Sequence, residues 1–479
     1  MQNMKLKATV LAVLGALSIV GCNSGSSSGT GTHAGASANL ARTGVITGFG
    51  SVFVNGVEYQ SSSATVTANG VAADESKLAL GMVVKLKGSV NTDGKTGTAV
   101  DISYADELHG IVQAVAVVAG TGTLTVMGQT VNVDAATVFE SKVTAITSMD
   151  MIAVGNIVEV SGYTAGDGNI YATRVEVKKA AMASGDEIEL KGVIASLDST
   201  AKTFLIGKQS VDYSAANLGD IPNGILANDM YVEVKSTQGF NSSNVLVSSK
   251  VELEGDGKKG VDVAAGEDLE LEGVVTNVAS PTEFTLNDQI VLLSDKTEFK
   301  HGTASSIVKG IKLEVEGTMN ADHKLVADKV NLRQESNIEM SALVGAIDVA
   351  ASTVTVLGQV IHVDSLTLLK DERDGIRYFS LKDMAVNDAL EIHAYLDTSG
   401  NLVATKLKRE SSGDNTSQLN GTVASVTGAV VVIAGVSVDL STADLTAFSS
   451  VAPVAGTKVE VVGTFANNTL TATTIQKDD

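Results

Sequence analysis

One pattern constrains this chain more than any other: an apolar run built around a glycine, repeated six times. It reads TGVITGF at Gly44, LHGIVQAV at Gly110, LKGVIASL at Gly192, LEGVVTNV at Gly273, LVGAIDV at Gly345 and LNGTVASV at Gly421. The spacings of 66, 82, 81, 72 and 76 residues each suit one small domain, not one layer of a thin solenoid. Downstream of each glycine lies a tight turn followed by alternating apolar residues: VNGVEY, MGQTVNVD, IGKQSVDY, LNDQIVLL, LGQVIHVD and AGVSVDL. Glycine or asparagine at the turn supplies the positive φ of a two-residue hairpin, and the period of two marks the flanking strands.

A less regular stretch follows, long enough for a short helix. Two further strands close each unit, the fourth typified by GMVVKLKG and GNIVEVSG and the fifth by TGTAVDISY and IYATRVEV, with a small residue at a fixed place. Five strands with an insertion between the third and fourth is the layout of an OB-type partly open barrel; the rival arrangement is an open meander packed on its neighbour. Composition agrees with an all-β chain. Glycine is abundant at 47 residues, proline numbers 3, and 44% of residues are hydrophobic against 19% charged. The expected fold is therefore all-β, about six tandem five-stranded OB-like small barrels with short helices between strands three and four. The expected boundaries are 43–106, 107–180, 187–255, 267–335, 338–411 and 417–479. Units of this size have small cores, so neighbours should support one another in a rod-like or curved array.

The first unit, GVITGFGSVFVNGVEY with LGMVVKLKGSVNTDGKTGTAVDISY, resembles the bacterial domain-of-unknown-function 5666 family, whose members occur in tandem in secreted proteins and lipoproteins. The likeness is strong over Thr43 to Asp106, good over Glu107 to Val177 and more worn toward the C-terminus. It implies small OB-like β domains. It implies no established activity and carries no catalytic residue.

Ahead of the repeats, MQNMKLK and ATVLAVLGALSIVGC form a basic segment, an apolar run and small residues before Cys22. The apolar run is short for a bilayer span. Ile19-Val20-Gly21-Cys22 resembles the bacterial lipoprotein lipobox, which implies a signal peptide over residues 1–21, cleavage before Cys22 and acylation of that cysteine. Cys22 is the one cysteine, so the folded part offers no disulfide, thiolate metal site or thiol nucleophile. Asn23 in place of aspartate points, by the same resemblance, to the outer membrane. Residues 22–42, rich in glycine and serine, read as a flexible tether with a reach of roughly 25 Å.

Motifs with chemical potential are few. A net charge of -21 repels polyanions, and no basic track with stacking aromatics is visible, so nucleic acid is not an expected partner. Asp167-Gly168-Asn169 could supply calcium ligands, but the corresponding turns of the other units keep no acidic residue at fixed offsets, and a hairpin tip explains all six. EGDGKKG, with Gly255, Gly257 and Gly260, matches a dinucleotide fingerprint without opening a helix, and GSSSG at Gly25 to Gly29 lies in the tether. His362 and His393, with Asp364 nearby in sequence, fall on strands three and four of one unit; exposed or barrel-face positions suit them better than a metal site. Phe49, Phe53 and Tyr59 could form a stacking platform but fit core packing. The expectation is a non-enzyme with no cofactor and no metal: a lipid-anchored outer-membrane protein whose β domains bind or scaffold a protein or glycan. The alternative is an OB-type module for an oligosaccharide, peptide or small molecule.

Overall fold

The structure is a computed structural model and describes residues 40–165, 168–254, 263–411 and 416–478. Repeat 2 shows how each unit is built. Its first strand, Leu108–Val118, pairs antiparallel with the second, Thr121–Val126, which pairs with the third, Gln129–Val133. The third lies parallel to the fifth, Asn169–Lys179; the fifth pairs antiparallel with the fourth, Ile157–Thr164, and the fourth returns to the first. This circuit closes on itself, so the unit is a closed barrel and not an open meander. The same circuit runs through repeat 1, repeat 4, repeat 5 and repeat 6. In repeat 3 the fifth strand is split into Leu246–Val247 and Lys250–Leu253, and the circuit still closes.

Local chemistry explains the closure. The hairpins between second and third strands use two consecutive positive φ values, at Asn55-Gly56, Met127-Gly128, Leu357-Gly358 and Ala434-Gly435, the primed turn that matches strand twist. Further on, the fourth strand meets a bulge in the fifth in repeats 1, 2, 4, 5 and 6. At Gly162, opposite Ala172, an added Cβ would lie 2.3 Å from the Tyr171 carbonyl oxygen; at Gly317, opposite Ala327, it would lie 2.1 Å from that of Val326. The glycine and the small residue recur together because the backbones approach closely there.

Short helices were expected between strands three and four. The described residues place only three-residue 3-10 turns there, such as Met149–Met151 and Leu381–Asp383. The intervening residues instead add a short strand parallel to the fifth: Val138–Ser141, Glu298–Lys300 and Leu368–Asp371 in repeats 2, 4 and 5. A threonine just upstream ties this crossover down. Thr137, Thr297 and Thr367 donate to the carbonyls of Ala172, Ala327 and Ala404 at 2.9, 2.8 and 2.8 Å.

The barrels associate in pairs through their first strands, and the pairing is not one of simple neighbours. Repeats 2 and 3 join antiparallel, Leu108 opposite Leu190, and repeats 5 and 6 join antiparallel, Met340 opposite Leu419. Repeat 1 joins repeat 4 in parallel, with Ala41, Arg42 and Thr43 opposite Leu269, Glu270 and Leu271. Each antiparallel pair shares one continuous hydrophobic core, whereas repeats 1 and 4 keep separate cores. The expected rod, in which units touch only their chain neighbours, is thus replaced by paired barrels, one pair joining units far apart in sequence.

Candidate functional site

Four repeats converge on one cavity. Repeat 1 contributes Thr47, repeat 2 Asp134 and Tyr163, repeat 4 Lys312 and Arg333, and repeat 5 Asp364, Leu366, Tyr395 and Val403. Its volume is about 440 Å³ and its exposed lining is mostly apolar, within the range of small-molecule sites. Contacts between repeats fix the convergence. Lys312 Nζ lies 2.5 Å from Asp134 Oδ2, Lys370 donates to the Phe139 carbonyl at 2.8 Å and pairs with Glu140 at 3.1 Å, and Lys406 donates to the Ala135 carbonyl at 3.2 Å. Thr47 donates to the Ser365 carbonyl at 3.3 Å, and Arg377 donates to the carbonyls of Leu78 and Glu75 at 2.8 and 2.6 Å while covering the Phe49 ring.

One wall adjoins the charged seam between repeats 1 and 4. Arg42 and Glu270, both buried, pair at 2.8 Å, and Asn55 donates its amide to Glu270 at 2.8 Å. Arg333 binds Glu272 at 3.1 Å and Glu314 at 2.8 Å. Burial lifts the Glu314 carboxyl to about 7; Arg333 opposes this, while Glu270 and Glu272 reinforce it. The oxygens of Glu272 accept from Arg333 Nε and, at 3.4 Å, from the Val45 N–H. The buried Tyr163 hydroxyl is left without a hydrogen bond of normal geometry, and its pKa is raised by burial and then by the Glu272 charge.

Asp134 and Asp364 occupy equivalent places at the ends of two third strands, each opening an Asp-x-x-Thr turn. Asp134 Oδ1 accepts from Ala136 N and Thr137 N at 3.0 and 3.1 Å; Asp364 Oδ1 accepts from Leu366 N and Thr367 N at 2.9 and 3.1 Å. Desolvation by the surrounding repeats pushes the pKa of the half-exposed Asp134 upward. The Lys312 charge and hydrogen bond, with those from Thr137 and Ala136, instead hold it below the usual carboxylate range.

The residues singled out by sequence are distributed differently. Cys22, Asp167, the GSSSG run and Gly255 to Gly260 lie outside the described residues. Around Asp167, the Ala165 N–H bonds the Asn169 carbonyl at 2.7 Å and Gly168 has a φ of 81°, which is hairpin-tip geometry. At the corresponding tips Asp93, Asn241, Asn320 and Asp397 each accept two backbone N–H groups within their own turn. The acidic residues there serve the turn. His362 is exposed on its strand, and His393 is buried against Glu391 at 3.0 Å; they sit opposite Val403 and Lys406 of the fifth strand. Of that trio only Asp364 reaches the cavity, and among the described residues no group of three or more His, Cys, Asp or Glu could hold a metal. Phe49 and Tyr59 are core residues, and Phe53 is half-buried on the second strand of its barrel. Sequence reasoning missed Asp134, Lys312, Arg333 and Tyr163; the paired Asp-x-x-Thr turns were the available signal for the first.

Closed five-stranded barrels in tandem, meeting around a shared cavity, define the class of this protein. The chain belongs to the family described as domain of unknown function (DUF5666), which matches residues 43–103, 109–176, 272–331 and 343–408, together more than half of the chain. These regions are repeats 1, 2, 4 and 5, the four that line the cavity. A solved structure described as drosophila Unr CSD456 is 14% identical, with 46% of this chain and 99% of that chain covered and a TM-score of 0.19. No curated protein matches.

Proposed function

We propose that this is a non-catalytic, lipid-anchored protein of the bacterial cell envelope whose paired barrels present a binding and scaffolding surface. The observation that carries the reading is the cavity shared by repeats 1, 2, 4 and 5. A spacer needs only barrels that stack, whereas four barrels held around a mostly apolar recess by cross-repeat lysine and arginine contacts suit a binding body. The signal-like N-terminus, Cys22 and the glycine- and serine-rich tether support attachment to the outer membrane at a distance that leaves the barrels accessible.

Envelope crosslinking tests the binding role: a reproducible protein or glycan adduct is expected, and an intact chain that yields none overturns it. Metabolic labelling with a fatty acid tests the anchor, since label should enter the wild-type chain and be lost in Cys22→Ser. Because the cavity draws on several repeats, an isolated repeat should not reproduce binding there.

A further inference from the structure

We infer that the cavity between repeats 1, 2, 4 and 5 binds a small amphipathic ammonium compound, a protonated primary amine on an apolar body. The inference rests on the binding role proposed above and names its ligand class. The protein itself contains a template for the interaction. Asp134 and Asp364 end equivalent strands, and each gives Oδ1 to its own Asp-x-x-Thr turn. In repeat 2 the second oxygen holds an ammonium, Lys312 Nζ at 2.5 Å. In repeat 5 the second oxygen of Asp364 makes no hydrogen bond among the described residues, and the side chain is exposed where it lines the cavity. Two copies of one device thus face one space, the first filled by a lysine from repeat 4 and the second open.

The surroundings select the rest of the ligand. Leu366, Val403 and the ring of Tyr395 provide an apolar wall beside Asp364, suited to an alkyl or aromatic body, and a tyrosine face tolerates a nearby cation. Carboxylates outnumber fixed cations along the lining, and Lys312 and Arg333 are already engaged with Asp134, Glu272 and Glu314. Anionic amphiphiles therefore meet unfavourable charge, while an ammonium gains a charge-assisted hydrogen bond. A neutral molecule of the same shape gains only apolar burial.

Calorimetric titration of the full mature chain with octylamine, 1-octanol and octanoate, each below its micellar concentration, tests this. Octylamine should bind saturably at one site, at least tenfold more tightly than octanol, with octanoate weakest. Asp364→Asn keeps the oxygen that accepts from the turn but removes the charge, and should weaken octylamine at least tenfold while leaving octanol unchanged. Val403→Phe fills the recess and should weaken both. Saturable octylamine binding unaffected by both substitutions, equal binding of octylamine and octanol, or no saturable binding at all would each overturn the inference. Because crosslinking of partners in the envelope is read independently, persistent adducts alongside failed amine binding would discard the ligand class and leave the proposed function standing.

Discussion

The seam between repeats 1 and 4 and the seam between repeats 5 and 6 use the same strand for opposite ends. In the second, the strands run antiparallel, Met340 faces Leu419, and the two barrels share one hydrophobic core. In the first they run parallel, the cores stay separate, and the link is charged and polar: Arg42 on Glu270, Asn55 on Glu270 and the Val45 N–H on Glu272, with Arg333 holding Glu272 and Glu314 in place from within repeat 4. Core fusion is permissive about register within a face, because apolar packing is non-directional. A buried arginine-glutamate pair is intolerant of a shift, since either partner alone would be an uncompensated charge. The antiparallel seam therefore supplies cohesion and the parallel one specificity.

The largest test of this contrast is Arg42→Met, which leaves Glu270 buried and unpaired and should cost about 3–5 kcal/mol. Hydrogen exchange should show the loss in repeats 1 and 4 with protection retained in repeats 5 and 6. Equal loss in both pairs would break the comparison, and Arg42→Met with Glu270→Leu should recover much of the stability. Met340→Ala should cost about 2–4 kcal/mol by leaving a cavity in the fused core. Exchange protection should then fall in repeats 5 and 6 together; a loss confined to repeat 5 would contradict a single cooperative core.

The third test uses pH. The Glu314 carboxyl, raised to about 7 from an ordinary 4.5, keeps its proton in the folded state where the unfolded chain has lost it. Its contribution is fully present below about pH 4.5 and is lost as pH rises through 7, on the order of 1–3 kcal/mol. Urea unfolding across that window should show the decline, and Glu314→Gln should remove the share belonging to repeats 1 and 4. A residual slope is expected from Glu189, which burial and then Glu233 lift to about 7 in repeat 3, on the seam with repeat 2. The smallest effect is that of Thr297→Val and Thr367→Val. Each removes one donor to a buried carbonyl, worth about 1 kcal/mol; equal losses in repeats 4 and 5 would show that the barrel lock is independent of the type of seam.

The strand order within each barrel was largely legible, because period-two patterning and turn residues are local properties. Gly56, Gly128 and Gly358 mark turns that the backbone then makes. Met127, Leu357 and Ala434 adopt positive φ without any sequence hint, since adjoining strands impose it. The expected helix between strands three and four dissolved into a short parallel strand and a 3-10 turn because the fifth strand offers hydrogen bonds that a helix could not use. The cavity was illegible from any one repeat. Its key groups, Asp134 and Lys312, lie in separate barrels and meet only through the association of repeats, a long-range outcome that no local period encodes. His362 and His393 fall on strands three and four of one unit with Asp364 two residues from the first, but the histidines sit opposite Val403 and Lys406 on their strands, and only Asp364, past the strand end in its turn, lines the cavity.

The parallel seam also sets an order of events for the growing chain. Ala41 must find Leu269, which lies beyond the whole of repeats 2 and 3. Closing so long a loop is slow and entropically unfavourable when the intervening residues are loose. Once repeats 2 and 3 have folded as a fused pair, the same segment becomes a compact spacer. Until repeat 4 emerges, the outer edge of the first strand of repeat 1 remains unsatisfied, making that edge the point at which the nascent molecule is most open to pairing with a second chain.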